Sequence, residues 1–133
     1  MFKILIAEDD HELRQLFQHV LTKNGYTVVG VSNGEEALRA MDASYYDMII
    51  SDIMMPKMDG WEVLKTIRKY SKVPVIMLTA RSEERDELQG FSLGVDEYIS
   101  KPFSPKILVA RVEALLRRTN AVSADVMNIG GIC

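Results

Sequence analysis

The residues with chemistry to offer stand at the ends of short apolar runs. Ile4-Leu5-Ile6-Ala7 leads into Glu8, Asp9 and Asp10; Met48-Ile49-Ile50-Ser51 leads into Asp52; Val75-Ile76-Met77-Leu78 leads into Thr79; Tyr98-Ile99-Ser100 leads into Lys101. Runs of this kind, closed by polar or turn residues, read as buried strands. Taken singly, each polar residue has an ordinary explanation. Asp9 and Asp10 are helix-capping acids, Asp52 is a loop aspartate, Thr79 is a strand-end hydroxyl and Lys101 is a solvated base before Pro102. Taken together they say more. Strand ends of one sense lie on one edge of a parallel sheet, so Glu8, Asp9, Asp52, Thr79 and Lys101 should converge there. Three carboxylates crowded within a few ångströms repel one another by on the order of several kcal/mol, and call for a cation. Oxygen donors with no histidine or cysteine beside them suit Mg²⁺. With Lys101 as a fixed positive charge and Thr79 as a hydroxyl donor, the set contains the parts for phosphoryl transfer to a carboxylate.

The elements that must position these residues follow from the same pattern. Residues 3–7 form a strand, and Leu13, Leu16, Phe17, Val20 and Leu21 recur at helical spacing until Asn24-Gly25. Tyr26 to Val31 is a second strand, and Ser32-Asn33-Gly34 opens a helix with Ala37, Leu38 and Met41 as its apolar stripe. The third strand ends in Asp52, after which Pro56 and Asp59-Gly60 force a turn. Trp61, Val63, Leu64 and Ile67 mark a helix running to about Lys72, where Val73-Pro74 restores extended backbone. A strand over 75–78, a helix over 83–93 stopped by Gly94, and a strand over 96–100 follow. Ser104 caps a last helix with Pro105 at its first position. Strand-then-helix units without hairpin signals predict an α/β fold: a doubly wound five-stranded parallel sheet of order 2-1-3-4-5, flavodoxin-like, with helices on both faces. Ligands of such sheets bind where the strand order reverses, between strands one and three. That is where Glu8 and Asp9 should meet Asp52.

At 133 residues there is material for one core and not for two. With 47% apolar and 26% charged residues, the chain is neither disordered nor membrane-spanning in composition. The acidic cluster directly after the first apolar run is unlike a signal peptide, which favours a cytoplasmic location. Cys133 is the single cysteine, so internal disulfides and multi-thiolate metal sites are excluded. A net charge of −3 argues against this segment gripping a nucleic-acid backbone itself. His11 and His19 read as surface residues, and Trp61 and the methionines as core or near-core packing. The helical pattern lapses at Thr119. Residues 1–118 therefore read as one domain, and 119–133 as a linker with the start of an output domain.

Five blocks, in order, carry a resemblance to a known family: Ile4-Leu-Ile-Ala-Glu-Asp-Asp10, Asp52-Ile-Met-Met-Pro-Lys-Met-Asp-Gly60, Thr79-Ala-Arg81, Gly94-Val-Asp-Glu-Tyr98 and Lys101-Pro-Phe103. Over roughly residues 2–118 the chain resembles the receiver domain of two-component response regulators. Its ending, from Phe103 through Arg117-Arg118, is similar to the OmpR/PhoB subfamily, whose members carry a winged-helix DNA-binding domain beyond a short linker. The resemblance implies that Asp52 takes phosphate from a sensor histidine kinase's phosphohistidine, and that Glu8, Asp9, Asp52 and the Met54 carbonyl hold Mg²⁺. It further implies that Thr79 and Lys101 bind the phosphoryl oxygens, that Tyr98 is the switch aromatic, and that Lys101-Pro102 is a cis bond. Met54 and Arg81 fall at the two positions that modulate dephosphorylation. The implied phosphorylation-dependent homodimer uses the fourth helix, fifth strand and fifth helix. There Glu97 and Arg111 retain one expected ion pair, whereas Glu87, Ile107, Ser92 and Glu113 depart from the pattern and would disfavour the interface.

Rival functions fit less well. An Mg-dependent phosphatase with an aspartate nucleophile, of the haloacid dehalogenase kind, wants a second acid two residues on, and Met54 stands there. A flavodoxin-like FMN binder needs a phosphate cradle after the first strand, where Glu8-Asp9 would repel it. A phosphate-independent interaction domain would have no need of all five residues.

Overall fold

A computed structural model describes residues 2–55, 57–79, 94–100 and 104–128. Strands β1 (Lys3–Ala7), β2 (Thr27–Val31), β3 (Met48–Asp52), β4 (Val75–Thr79) and β5 (Glu97–Ser100) form one sheet in the order β2-β1-β3-β4-β5. All four pairings are parallel. The expected order and strand sense are therefore present, and the reversal falls between β1 and β3. Every residue of β3 and β4 is buried, as near-continuous apolar runs demand of a sheet covered on both faces.

Four helices are described: α1 (His11–Lys23), α2 (Gly34–Ala43), α3 (Gly60–Ile67) and α4 (Pro105–Asn128). Strand alternation sends Leu5, Ala7, Ile49 and Met77 to one face, where they pack with Ala37 of α2 and Val63, Leu64 and Ile67 of α3. Ile4, Ile6, Ile50 and Leu78 face the other way, onto Phe17 and Leu21 of α1 and Leu108 and Val112 of α4. Each of the first three helices opens on an acid or amide cap. Asp10 Oδ1 accepts from the amides of Glu12 and Leu13 at 3.0 and 3.2 Å, Asn33 Oδ1 from Glu36, and Asp59 Oδ1 from Glu62. Asp10 is thus a capping residue.

Two element boundaries differ from the sequence reading. Helix α3 stops at Ile67 and not near Lys72, because Arg68 caps it and turns its guanidinium toward residues beyond. Helix α4 continues to Asn128, through the stretch read as linker. The stretch 119–128 contains neither glycine nor proline, and nothing in it breaks a helix already begun. The helix expected over 83–93, with Glu87 and Ser92, and the Lys101-Pro102 turn lie outside the described residues. No helix among the described residues is long and apolar enough to cross a membrane.

Candidate functional site

The carboxyl ends of β1 and β3 sit side by side through the register Ala7↔Ser51, which brings the next residue of each strand to the rim. Glu8, Asp9 and Asp52 each place one carboxylate oxygen within 4.8 Å of the others. Glu8 is fully buried and Asp52 nearly so, while Asp9 is exposed. A buried acid beside two others is costly unless something matches its charge.

The backbone holds this arrangement. The Glu8 amide donates to the Val31 carbonyl at 3.0 Å, which carries the β1–β2 ladder one residue past the strand. Glu8 Oε2 accepts from the Asp10 amide at 3.1 Å, and the Glu8 carbonyl accepts from Arg14 Nη1 at 2.8 Å. Asp52 Oδ1 accepts from the Met54 amide at 3.1 Å, so the turn after β3 folds back on the acid that ends it. Gly60 closes the turn. Its amide donates to the Ile53 carbonyl at 2.8 Å, and a Cβ there would lie 2.5 Å from the Asp52 carbonyl oxygen. Only glycine lets α3 start this close to Asp52. Within the same turn Lys57 has φ 69°, a left-handed conformation that costs a side-chain-bearing residue energy.

Thr79 ends the buried β4 on the strand next to Asp52, whose register partner is Leu78. Tyr98 lies on β5, opposite Met77, and is half-buried. The described residues thus bring Glu8, Asp9, Asp52 and Thr79 to one sheet edge, with Tyr98 on the neighbouring strand; Lys101 and Arg81 are outside them. Met54 is no core residue: its side chain is 73% exposed. Met48 and Met77 are fully buried, in keeping with the packing role expected of them. His11 and His19 are exposed, although His11 Nδ1 meets Arg14 Nη2 at 2.8 Å.

On the edge remote from the acids, sequence reasoning missed a structural cluster. Arg68 Nη1 donates to the carbonyls of Val73 and Ser71 at 2.8 and 3.3 Å, and Nη2 donates to Gly94 at 2.7 Å and pairs with Asp96 at 3.6 Å. Burial pushes the Arg68 guanidinium below its ordinary pKa, and the Asp96 charge opposes that shift. The surface around α4 carries two further charged contacts. Arg111 pairs with Glu97 within the chain at 3.9 Å. Glu113 lines the groove between α1 and α4 with Val20, Asn24 and Arg117, and helps raise the pKa of the Tyr26 hydroxyl after burial has done so.

A doubly wound parallel sheet with three acids at its switch point is the architecture of receiver-type signalling domains. The chain belongs to the response regulator receiver domain family, whose model matches residues 4–113. It is 50% identical over 118 residues to the probable transcriptional regulator ycf27 of Guillardia theta, covering 89% of this chain and 46% of that protein. It is 43% identical over 129 residues to the alkaline phosphatase synthesis transcriptional regulatory protein PhoP of Bacillus subtilis, covering 95% and 54%. These relatives are of the OmpR/PhoB type, and the chain spans about half their length. Among solved structures, the Francisella response regulator 1452 receiver domain superposes with a TM-score of 0.84 at 37% identity, over 90% of this chain and 99% of that one. Response regulator TrrA of Thermotoga maritima, in complex with Mg(2+)-BeF, gives a TM-score of 0.78 at 37% identity, over 86% and 99%. The chain is a receiver domain of a two-component response regulator.

Proposed function

We propose that Asp52 is the phosphoacceptor of this receiver domain and that Glu8, Asp9, Asp52 and the Met54 carbonyl hold Mg²⁺. The observation that carries the reading is the meeting of three carboxylates within 4.8 Å, two of them buried, where the strand order reverses. An all-oxygen donor set of this charge fits Mg²⁺ better than a softer ion. Bound there, Mg²⁺ would neutralise the acids and draw charge from the phosphoryl oxygens.

The chain's own residues do the rest. An Asp52 carboxylate oxygen attacks phosphorus in line, the bond from phosphorus to the donor's imidazole nitrogen breaks, and an acyl phosphate forms on Asp52. The Thr79 hydroxyl donates to a phosphoryl oxygen, and Lys101 supplies a positive charge to another. The amide of Met54 donates to Asp52 Oδ1 and so helps fix the orientation of the attacking carboxylate. Self-catalysed hydrolysis later removes the phosphoryl group, at a rate that Met54 and Arg81 modulate.

The donor is a sensor histidine kinase in the cytoplasm. Residues 119–133 join the receiver to a DNA-binding output domain in the longer protein, as the names of the transcriptional relatives suggest. Phosphorylation would promote a homodimer through the helix expected over 83–93, β5 and α4. Its strength is reduced by Ile107 and by the engagement of Arg111 with Glu97 inside one chain. Incubation with acetyl phosphate and Mg²⁺ followed by intact mass tests the central step. One phosphoryl group is expected on the wild type and none on Asp52→Asn; labelling that survives the substitution overturns the assignment.

A further inference from the structure

Trp61 is the only tryptophan in the chain, and its place in the fold gives it a role that the acids and Thr79 do not fill. It is the second residue of α3, directly after Gly60, whose close approach ties the helix start to the Asp52 carbonyl. From there its indole reaches Tyr98 on β5, with ring centroids 6.3 Å apart and planes inclined by 58°. Both rings are half-buried against the core cluster that α2 and α3 share with the sheet. A tilted aromatic pair at this separation is favourable beyond the area it buries. The contact thus joins the seating of α3 on Asp52 to the side-chain conformation of Tyr98.

We infer that Trp61 is a positioning residue for Tyr98, which couples the Asp52 end of β3 to β5 through α3. The coupling part rests on the phosphoacceptor reading of Asp52; the positioning part does not. If the Tyr98 ring has two arrangements, contact with Trp61 stabilises one of them, and whatever binds at Asp52 with unequal affinity for the two must feel the loss of the indole.

The test uses the chain labelled with 3-fluorotyrosine, the Tyr98 resonance being assigned by its loss in Tyr98→Phe. In Trp61→Leu that ¹⁹F resonance is expected to move or broaden, and in Trp61→Phe to return most of the way. An unmoved resonance in Trp61→Leu overturns the positioning role. Should Trp61→Leu fail to fold, the wild-type tryptophan emission serves in its place: it must change in Tyr98→Leu, and an unaltered spectrum overturns the proposal. Titration with beryllofluoride and Mg²⁺ then tests coupling. Trp61→Leu should alter the apparent affinity by roughly two- to tenfold in either direction, with Trp61→Phe near wild type. An unchanged affinity overturns the coupling. Beryllofluoride binding that persists in Asp52→Asn, or is absent from the wild type, overturns the phosphoacceptor reading and the coupling with it, and is distinguished by leaving the ¹⁹F comparison without ligand intact.

Discussion

The two edges of the sheet treat charge in opposite ways. At the amino-terminal edge each charge meets a complementary group: the Lys3 amide donates to Asp47 Oδ2 at 2.8 Å, the Lys3 ammonium sits 4.8 Å from the Tyr46 ring centroid, and Arg68 faces Asp96 and three carbonyls. At the carboxyl-terminal edge like charges meet, with Glu8, Asp9 and Asp52 held together by backbone ladders and turns. The first arrangement is what folding alone would select. The second opposes folding, and agrees with the proposed reading in which this edge receives a cation and a phosphoryl group. Stability and signalling are thus assigned to opposite ends of the same strands.

The largest effect should come from breaking the stabilising edge. Arg68→Ala removes the donor that satisfies the Val73 and Gly94 carbonyls and leaves Asp96 without its guanidinium, so a loss of about 3 kcal/mol is expected. Urea denaturation at pH 7 measures it, and acetyl phosphate should still label the folded variant at Asp52. A loss below about 1 kcal/mol would mean that Arg68 is ornamental to the fold. Removing one charge at each edge sharpens the contrast. Asp96→Asn should destabilise by about 1–2 kcal/mol, since Asp96 Oδ2 also accepts from the Val75 amide at 2.8 Å. Asp9→Asn, measured in EDTA, should stabilise by about 1 kcal/mol through relief of repulsion at an exposed position. Mg²⁺ should raise the melting temperature of the wild type and raise that of Asp9→Asn far less. Two changes of the same sign would dissolve the distinction between the edges.

How much of this could be read from the chain depends on the range of the interactions involved. The strands, their order and the meeting of Glu8, Asp9 and Asp52 were legible because buried parallel strands must be apolar throughout, so the polar residue that ends each one stands out. The Arg68 cluster was not legible, since nothing near Arg68 in sequence announces Gly94 and Asp96 as its partners. The same contact explains the early end of α3, which its apolar spacing would have let run on. Trp61 looked like ordinary packing and Tyr98 was singled out only by the resemblance; the fold alone sets one ring against the other.

A smaller effect is expected in the turn that carries the functional edge. Lys57 is the only described non-glycine residue with positive φ, and Lys57→Gly removes that strain, worth roughly 1–2 kcal/mol. Glycine's greater freedom in the unfolded chain returns roughly 0.4–1 kcal/mol of this. A net gain of about 0.5–1 kcal/mol in the unfolding free energy from urea denaturation is therefore expected, and a loss would show that the lysine side chain makes up for its backbone.

The smallest effect lies one loop away and is told by its pH dependence. Glu36 Oε1 accepts from both the amide and the hydroxyl of Ser32 at 2.8 Å, while the Glu36 amide donates to the Asn33 side chain, so the two ends of the cap support each other. The Ser32 amide, then its hydroxyl, holds the Glu36 carboxyl below its ordinary pKa of 4.5, with Arg39 and Lys57 adding to this. A carboxyl depressed by folding lends stability that is complete above its unfolded pKa and is lost as pH falls through the folded value. Wild type should therefore exceed Glu36→Gln by a constant small margin from pH 7 down to about 5, and the margin should close as the pH falls below the unfolded value. Because Gln keeps the amide oxygen as an acceptor, the substitution removes charge while sparing geometry. A margin that stays the same at pH 3 would assign the cap's contribution to shape, and would leave the charge of Glu36 as one more acid that this edge tolerates and does not use.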